Sequence, residues 1–145
     1  MKALRQEETF IITVDLGEEL TSSIVRFATH EKIEAAAVNA IGAVRDFELG
    51  YYRLSDQQYT RKRFAGIAEL ISCMGNIAIR DGKPFPHLHA SVGFEDFTTA
   101  GGHFFSGIVA VTAEVWLRPL PKRMERRHNQ QTGLALLDLP VWEAF

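Results

Sequence analysis

Only one stretch of this chain carries helical periodicity, and nearly everything after it reads as strand. Leu20, Ile24, Phe27 and Ala28 recur at the spacing of one helix face. Glu18 and Glu19 lie near the start of that segment and Lys32 at its end, which suits the helix dipole. Before it, Phe10, Ile12, Val14 and Leu16 alternate as in a strand that stops at Gly17. After it come about seven strand-like segments. Residues 35–41 are small and apolar and stop at Gly42. Residues 44–54 place Phe47, Leu49 and Tyr51 on one face and Asp46 and Glu48 on the other. Residues 59–64 are polar enough for an edge strand or hairpin arm, and residues 67–74 are apolar up to Gly75-Asn76. A turn at 81–84 precedes strands over 87–92 and 108–117. The βα alternation of a doubly wound sheet is missing. The expected fold is therefore α+β, a largely antiparallel or mixed sheet with one main helix packed on it.

The 145 residues fit one domain, expected over 1–120. The tail over 121–145 is polar and then apolar, and is expected to pack on its own domain or on a neighbouring subunit. Ten Phe residues suit either a well-filled core or an apolar subunit interface. With one Cys the chain has no intrachain disulfide, and the apolar setting of Cys73 suits a packed, inert thiol. No apolar run approaches membrane-spanning length and the first residues lack the apolar core of a signal peptide, so the expected setting is cytoplasmic, with no membrane partner.

The chemistry concentrates in Pro86-His87-Leu88-His89-Ala90-Ser91 and Gly101-Gly102-His103-Phe104. Residues two apart on a strand share a face, so His87 and His89 project together, roughly 7 Å apart at their Cα atoms. Leu88, Ala90 and Val92 take the other face as core. His103 follows a Gly-Gly pair that lets the backbone turn sharply. If the segment after that turn pairs with the His87 strand, a third imidazole joins the first two. Three neutral imidazoles form the ligand set of catalytic zinc sites and also suit nickel, copper or iron. His30 and His128 read as solvated surface residues. Glu69 and Glu114 each sit in an otherwise apolar strand and need a partner there: a metal site's surroundings, or a cross-strand Arg.

The motif order supports a resemblance. Residues 37–44 (AVNAIGAV), 69–77 (ELISCMGNI), 87–91 (HLHAS), 101–104 (GGHF) and 112–115 (TAEV) resemble the plants-and-prokaryotes-conserved domain, over about residues 8 to 118. The resemblance implies an α+β homotrimer. It also implies a DNA-binding or regulatory role, because in plants this domain accompanies AT-hook motifs. The fold is similar to that of acetolactate decarboxylase as well, whose zinc is held by a His-x-His pair and a later His. That match falls on His87, His89 and His103, with Glu69 and Glu114 standing for the acidic residues around the metal. It implies a second reading, a small decarboxylase- or lyase-like metalloenzyme with a carboxylate or carbonyl ligand at the metal. This chain departs from the plant proteins in lacking any Arg-Gly-Arg-Pro hook. Its net charge is −2 and its pI about 6.2, whereas phosphate binders usually carry a basic excess. The one basic cluster, Lys122, Arg123, Arg126 and Arg127, is interrupted by Glu125 and reads as a solvated tail rather than a DNA arm.

Overall fold

The helix forms where its apolar stripe predicts. In the computed structural model, which describes residues 1–142, helix α1 spans Leu20–His30 and buries Leu20, Ile24, Phe27 and Ala28. Glu19 caps it. Its carboxylate accepts from the backbone N–H groups of Thr21 (3.0 Å) and Ser22 (2.6 Å), and also from that of Gly107 (3.1 Å). One side chain thus satisfies orphan helix donors and ties the helix start to the sheet. Lys32 lies beyond the helix end, at a positive φ of 56°.

Among the described residues eight strands complete the α+β fold: β1 Lys2–Gln6, β2 Thr9–Asp15, β3 Ala36–Arg53, β4 Gln58–Arg80, β5 Lys83–Gly93, β6 Thr99–Pro119, β7 Glu125–Asn129 and β8 Leu134–Asp138. Their order in the sheet is β1-β2-β6-β3-β4-β7-β8, with β5 joining β4 and β6. The antiparallel pairings β3–β4, β4–β5, β5–β6 and β6–β3 therefore close into a circuit. Phe47, Leu70, Leu88, Val92, Phe104 and Val109 belong to the core that this circuit shares with α1.

Several expected breaks are bends within long strands. Gly42 does not end a strand; the register of β3 shifts there against both β4 and β6. A Cβ on Gly42 would stand 2.2 Å from the Thr112 carbonyl oxygen. Gly75-Asn76 likewise lies inside β4, and the segments expected over 59–64 and 67–74 are one strand. A second shift between Arg45 and Phe47 changes which residues face inward. Glu48 is buried as a result and Tyr51 is exposed; Leu16, just past the end of β2, is exposed as well. Burial raises the Glu48 carboxyl, but hydrogen bonds from Arg63 (3.0 Å) and Arg61 (3.1 Å) outweigh it and hold the group below its ordinary value.

The turn over 81–84 is a two-residue hairpin in which Asp81 and Gly82 take φ of 52° and 76°. Beyond Pro121 the chain forms the β7–β8 hairpin. It joins the sheet through a parallel bridge between Ile79 and Glu125 and through hydrogen bonds from Tyr52 and Gln57 to the carbonyls of Thr132 and Gln131. Glu143, Ala144 and Phe145, the last of the expected tail, lie outside the described residues. No helix among the described residues is long and apolar enough to cross a membrane. Cys73 is buried, and burial pushes its thiol up to about 12, which keeps it unreactive.

Candidate metal centre

Two paired strands, β5 and β6, bring the histidines together. His87 and His89 project from the same side of β5, with Leu88 between them buried in the core. The Gly-Gly pair before His103 does not make a turn, because both glycines already belong to β6. The reversal comes earlier, at 94–98, where the Phe94 N–H donates to the Thr98 carbonyl and the Phe97 N–H to that of Phe94. What the glycines allow is close approach: a Cβ on Gly102 would stand 2.6 Å from the Gly50 carbonyl oxygen. His103 is consequently the residue at which β6 exchanges partners, opposite both His89 of β5 and Gly50 of β3. Gly75 serves β5 in the same way, since its α-carbon lies against the His87 carbonyl.

The three imidazole centroids stand 5.1 Å (His87–His89), 5.2 Å (His87–His103) and 5.5 Å (His89–His103) apart. One ring nitrogen from each falls within 4.8 Å of the others. A tetrahedral ion with metal–nitrogen bonds near 2 Å spaces its ligand atoms roughly 3.3 Å apart, so small ring rotations would close this set around one. Nδ1 of His103 is buried and has no hydrogen-bond partner. A buried polar nitrogen in that state is costly, and a cation would satisfy it. The residues therefore fit a divalent transition metal.

Burial, reinforced by the nearby Arg126 and His89, pushes His87 down to about 4. Burial, then His87 and His89, then Arg61 and Arg126, push His103 down to about 4 as well. Both rings are neutral at pH 7, the form a metal ligand requires. Both folded values lie below the ordinary 6.5, so between the two the unfolded chain binds more protons than the folded one. Metal-free protein should lose stability as pH falls from about 6.5 toward about 4, and this loss should level off below that range. Urea midpoints across that range measure it. A His87→Asn, His103→Asn double variant should show a flatter dependence, and an unchanged slope would contradict the assignment.

Two hollows adjoin the cluster. A cavity of about 450 Å³ is walled by His87 and His103 together with Tyr59, Arg61, Arg80, Phe105 and Arg126. A shallower one of about 260 Å³ lies on the His89 side, beside Ser72, Met74 and Ser91. Glu69 and Glu114 enter neither. Both are exposed and make no ion pair among the described residues. Glu69 lies five positions along β4 from Met74, the cross-strand partner of His89, a strand distance of roughly 16 Å. His30 and His128 are exposed, as expected.

Arg126 overturns the reading of the basic cluster as wholly solvated. It is 9% exposed, and its guanidinium donates to Asn76 Oδ1 (2.8 Å) and the Ala135 carbonyl (3.1 Å). Asn76 is the cross-strand partner of His87. The signal that could have found Arg126 is the polar Asn-Gln-Gln-Thr-Gly stretch before Leu134, a hairpin turn that folds the tail back.

The family model of the Plants and Prokaryotes Conserved domain matches residues 1–121. Among solved structures, a metal-containing protein from Archaeoglobus fulgidus is 37% identical, with a TM-score of 0.85 over 94% of this chain and 98% of its own. A plant- and prokaryote-conserved protein from Pyrococcus horikoshii is 33% identical, with a TM-score of 0.85 over 97% and 96%. A protein from Bacteroides thetaiotaomicron, provisionally described as DNA-binding, shares the fold at 24% identity, with a TM-score of 0.91 over 94% and 96%. No curated protein sequence matches. With the family model spanning most of its length and two relatives above 30% identity over nearly all of it, the chain belongs to the Plants and Prokaryotes Conserved domain family.

Proposed function

We propose that this protein holds one divalent transition metal, zinc foremost, through His87, His89 and His103. The observation that carries the reading is the convergence of three ring nitrogens within 4.8 Å. The metal-containing relative from Archaeoglobus fulgidus supports it. When bound, such an ion supplies Lewis acidity. Three imidazoles without a fourth protein ligand are the donor set of catalytic rather than closed structural zinc sites. The adjoining cavity of about 450 Å³ favours a second reading on that basis: a small decarboxylase- or lyase-like metalloenzyme acting on a carboxylate or carbonyl compound. Around such a ligand the chain's own residues would act by binding and orienting it, the arginines through charge and the aromatic walls by excluding water.

The proposed assembly is a homotrimer working in the cytoplasm. Ile41, Met74 and Trp116 are exposed on strands whose register places Trp116, Asn39, Met74 and His89 in one row. An apolar sheet face of this kind is suited to subunit contact. Untagged protein should take up one zinc per chain on titration, and light scattering of that sample should give three chains. Protein that gains no zinc would refute the metal reading, and a monomer mass at micromolar concentration would refute the trimer.

A DNA-binding role is the provisional description of the Bacteroides thetaiotaomicron structure, and this chain is predicted to bind duplex DNA weakly. Of its basic cluster, Arg123 pairs with Glu34 and Glu125, Arg127 pairs with Asp138, and Arg126 is buried. Few phosphate contacts remain, so retention should be measurable at low salt and almost absent at about 150 mM. Labelled duplex titrated across a salt series measures this. Nanomolar affinity at about 150 mM with discrimination between sequences would contradict the prediction.

A further inference from the structure

The β7–β8 hairpin follows the residues that the family model matches, which end at 121, yet it builds one wall of the cavity beside the histidines. Leu134, Ala135 and Leu136 line that cavity together with Arg126. Arg126 is a cation more than nine-tenths buried, and its Nε has no hydrogen-bond partner. No carboxylate among the described residues pairs with it, and none lines the cavity. The other two guanidiniums there are already engaged. Arg61 stacks 3.7 Å over Phe105 and pairs with Glu48, while Arg80 stacks 3.7 Å over Phe85 beside Asp81. A buried, unpaired charge costs stability unless something compensates it. Burial and the charge of Arg80 both disfavour the protonated form of Arg126, yet a guanidinium keeps its proton. Among the described residues only the Phe85 ring, 5.8 Å from the guanidinium, and neutral acceptors face this charge, which leaves it open to an anion bound in the cavity.

We propose that this cavity binds the carboxylate of a small organic acid through Arg126, with the acid's apolar body against Phe105, Leu134 and Leu136. A carboxylate on an apolar stem matches a wall that is mostly aromatic and aliphatic apart from its arginines, the two imidazoles and Thr21, and a planar guanidinium matches a carboxylate with paired N–H donors. The inference rests on the metal reading at one point only. His87 and His103 share the cavity, so a 2-oxo acid, with a second oxygen to offer, should bind zinc-loaded protein more tightly than the plain acid does.

Calorimetric titration of the full chain, metal-free and zinc-loaded, tests both levels. The probes are isovalerate, 2-oxoisovalerate, inorganic phosphate and the neutral isovaleramide. Isovalerate should bind the metal-free protein, isovaleramide should not, and Arg126→Met should weaken isovalerate by about tenfold or more, the usual size of a lost charge-assisted contact. Leu134→Trp, which fills the cavity and keeps Arg126, should abolish binding even if Arg126→Met fails to fold. Equal binding of the acid and its amide, an undiminished affinity in folded Arg126→Met, or binding of phosphate alone would overturn the proposal. Zinc should strengthen 2-oxoisovalerate over isovalerate. A protein that takes no zinc but still binds isovalerate through Arg126 would refute the metal reading and leave the carboxylate site standing.

Discussion

Gly75→Ala is expected to lower the unfolding free energy by about 4 kcal/mol or more, the range reserved for changes the structure cannot absorb. A Cβ at that position would stand 1.8 Å from the His87 carbonyl oxygen, 2.9 Å from its carbon and 3.1 Å from the Leu88 α-carbon. All three neighbours are backbone, so no side chain can swing aside. Relief requires parting β4 from β5, and that pairing holds both His87 and His89. Metal uptake should therefore fail along with stability. Gly101→Ala is the milder comparison, since its Cβ would meet nothing nearer than the Ala90 carbonyl oxygen at 3.1 Å, and it should cost less than about 2 kcal/mol. Urea unfolding of both variants measures the difference. A Gly75→Ala protein within about 1 kcal/mol of wild type would show that the strands part easily.

His89→Ala should separate binding from folding. His89 is the exposed member of the triad, so its removal should alter the stability of metal-free protein by no more than about 0.5 kcal/mol. Zinc affinity should fall by more than about 100-fold, because loss of a partner behind a ligand already costs 10- to 100-fold. Competition against a chelator of known affinity reads this directly. Wild-type affinity in the variant would remove His89 from the ligand set.

The elements legible in the sequence are those whose signal is local. Leu20, Ile24, Phe27 and Ala28 specify α1 because one period sets both the helix and the face it buries. His87 and His89 share a side for the same kind of reason. Gly42, Gly75 and Gly102 were harder, because a glycine that stops a strand and one that admits a neighbouring carbonyl look alike along the chain. Only the partner strand, thirty or more positions away for Gly42 and Gly102, distinguishes them. Glu69 and Glu114 misled for a different reason. Ile41, Ile67, Ile71 and Met74 leave a sheet face both apolar and exposed, so along the chain these strands read as buried on both sides and their acids as in need of partners. The burial of Arg126 depends on a hairpin docking onto β4, a long-range contact with no local period.

His87, His89 and His103 together are expected to hold one ion. X-ray absorption at the zinc edge, on untagged protein loaded to one ion per chain, reads the ligand set. The expected spectrum has a first shell of light donors near 2.0–2.1 Å, with the outer scattering of three imidazoles and at least one further oxygen ligand. Loss of one imidazole in the His89→Ala protein should follow. A shell containing sulfur near 2.3 Å, or imidazole scattering unchanged when His89 is removed, would place the metal elsewhere and contradict it.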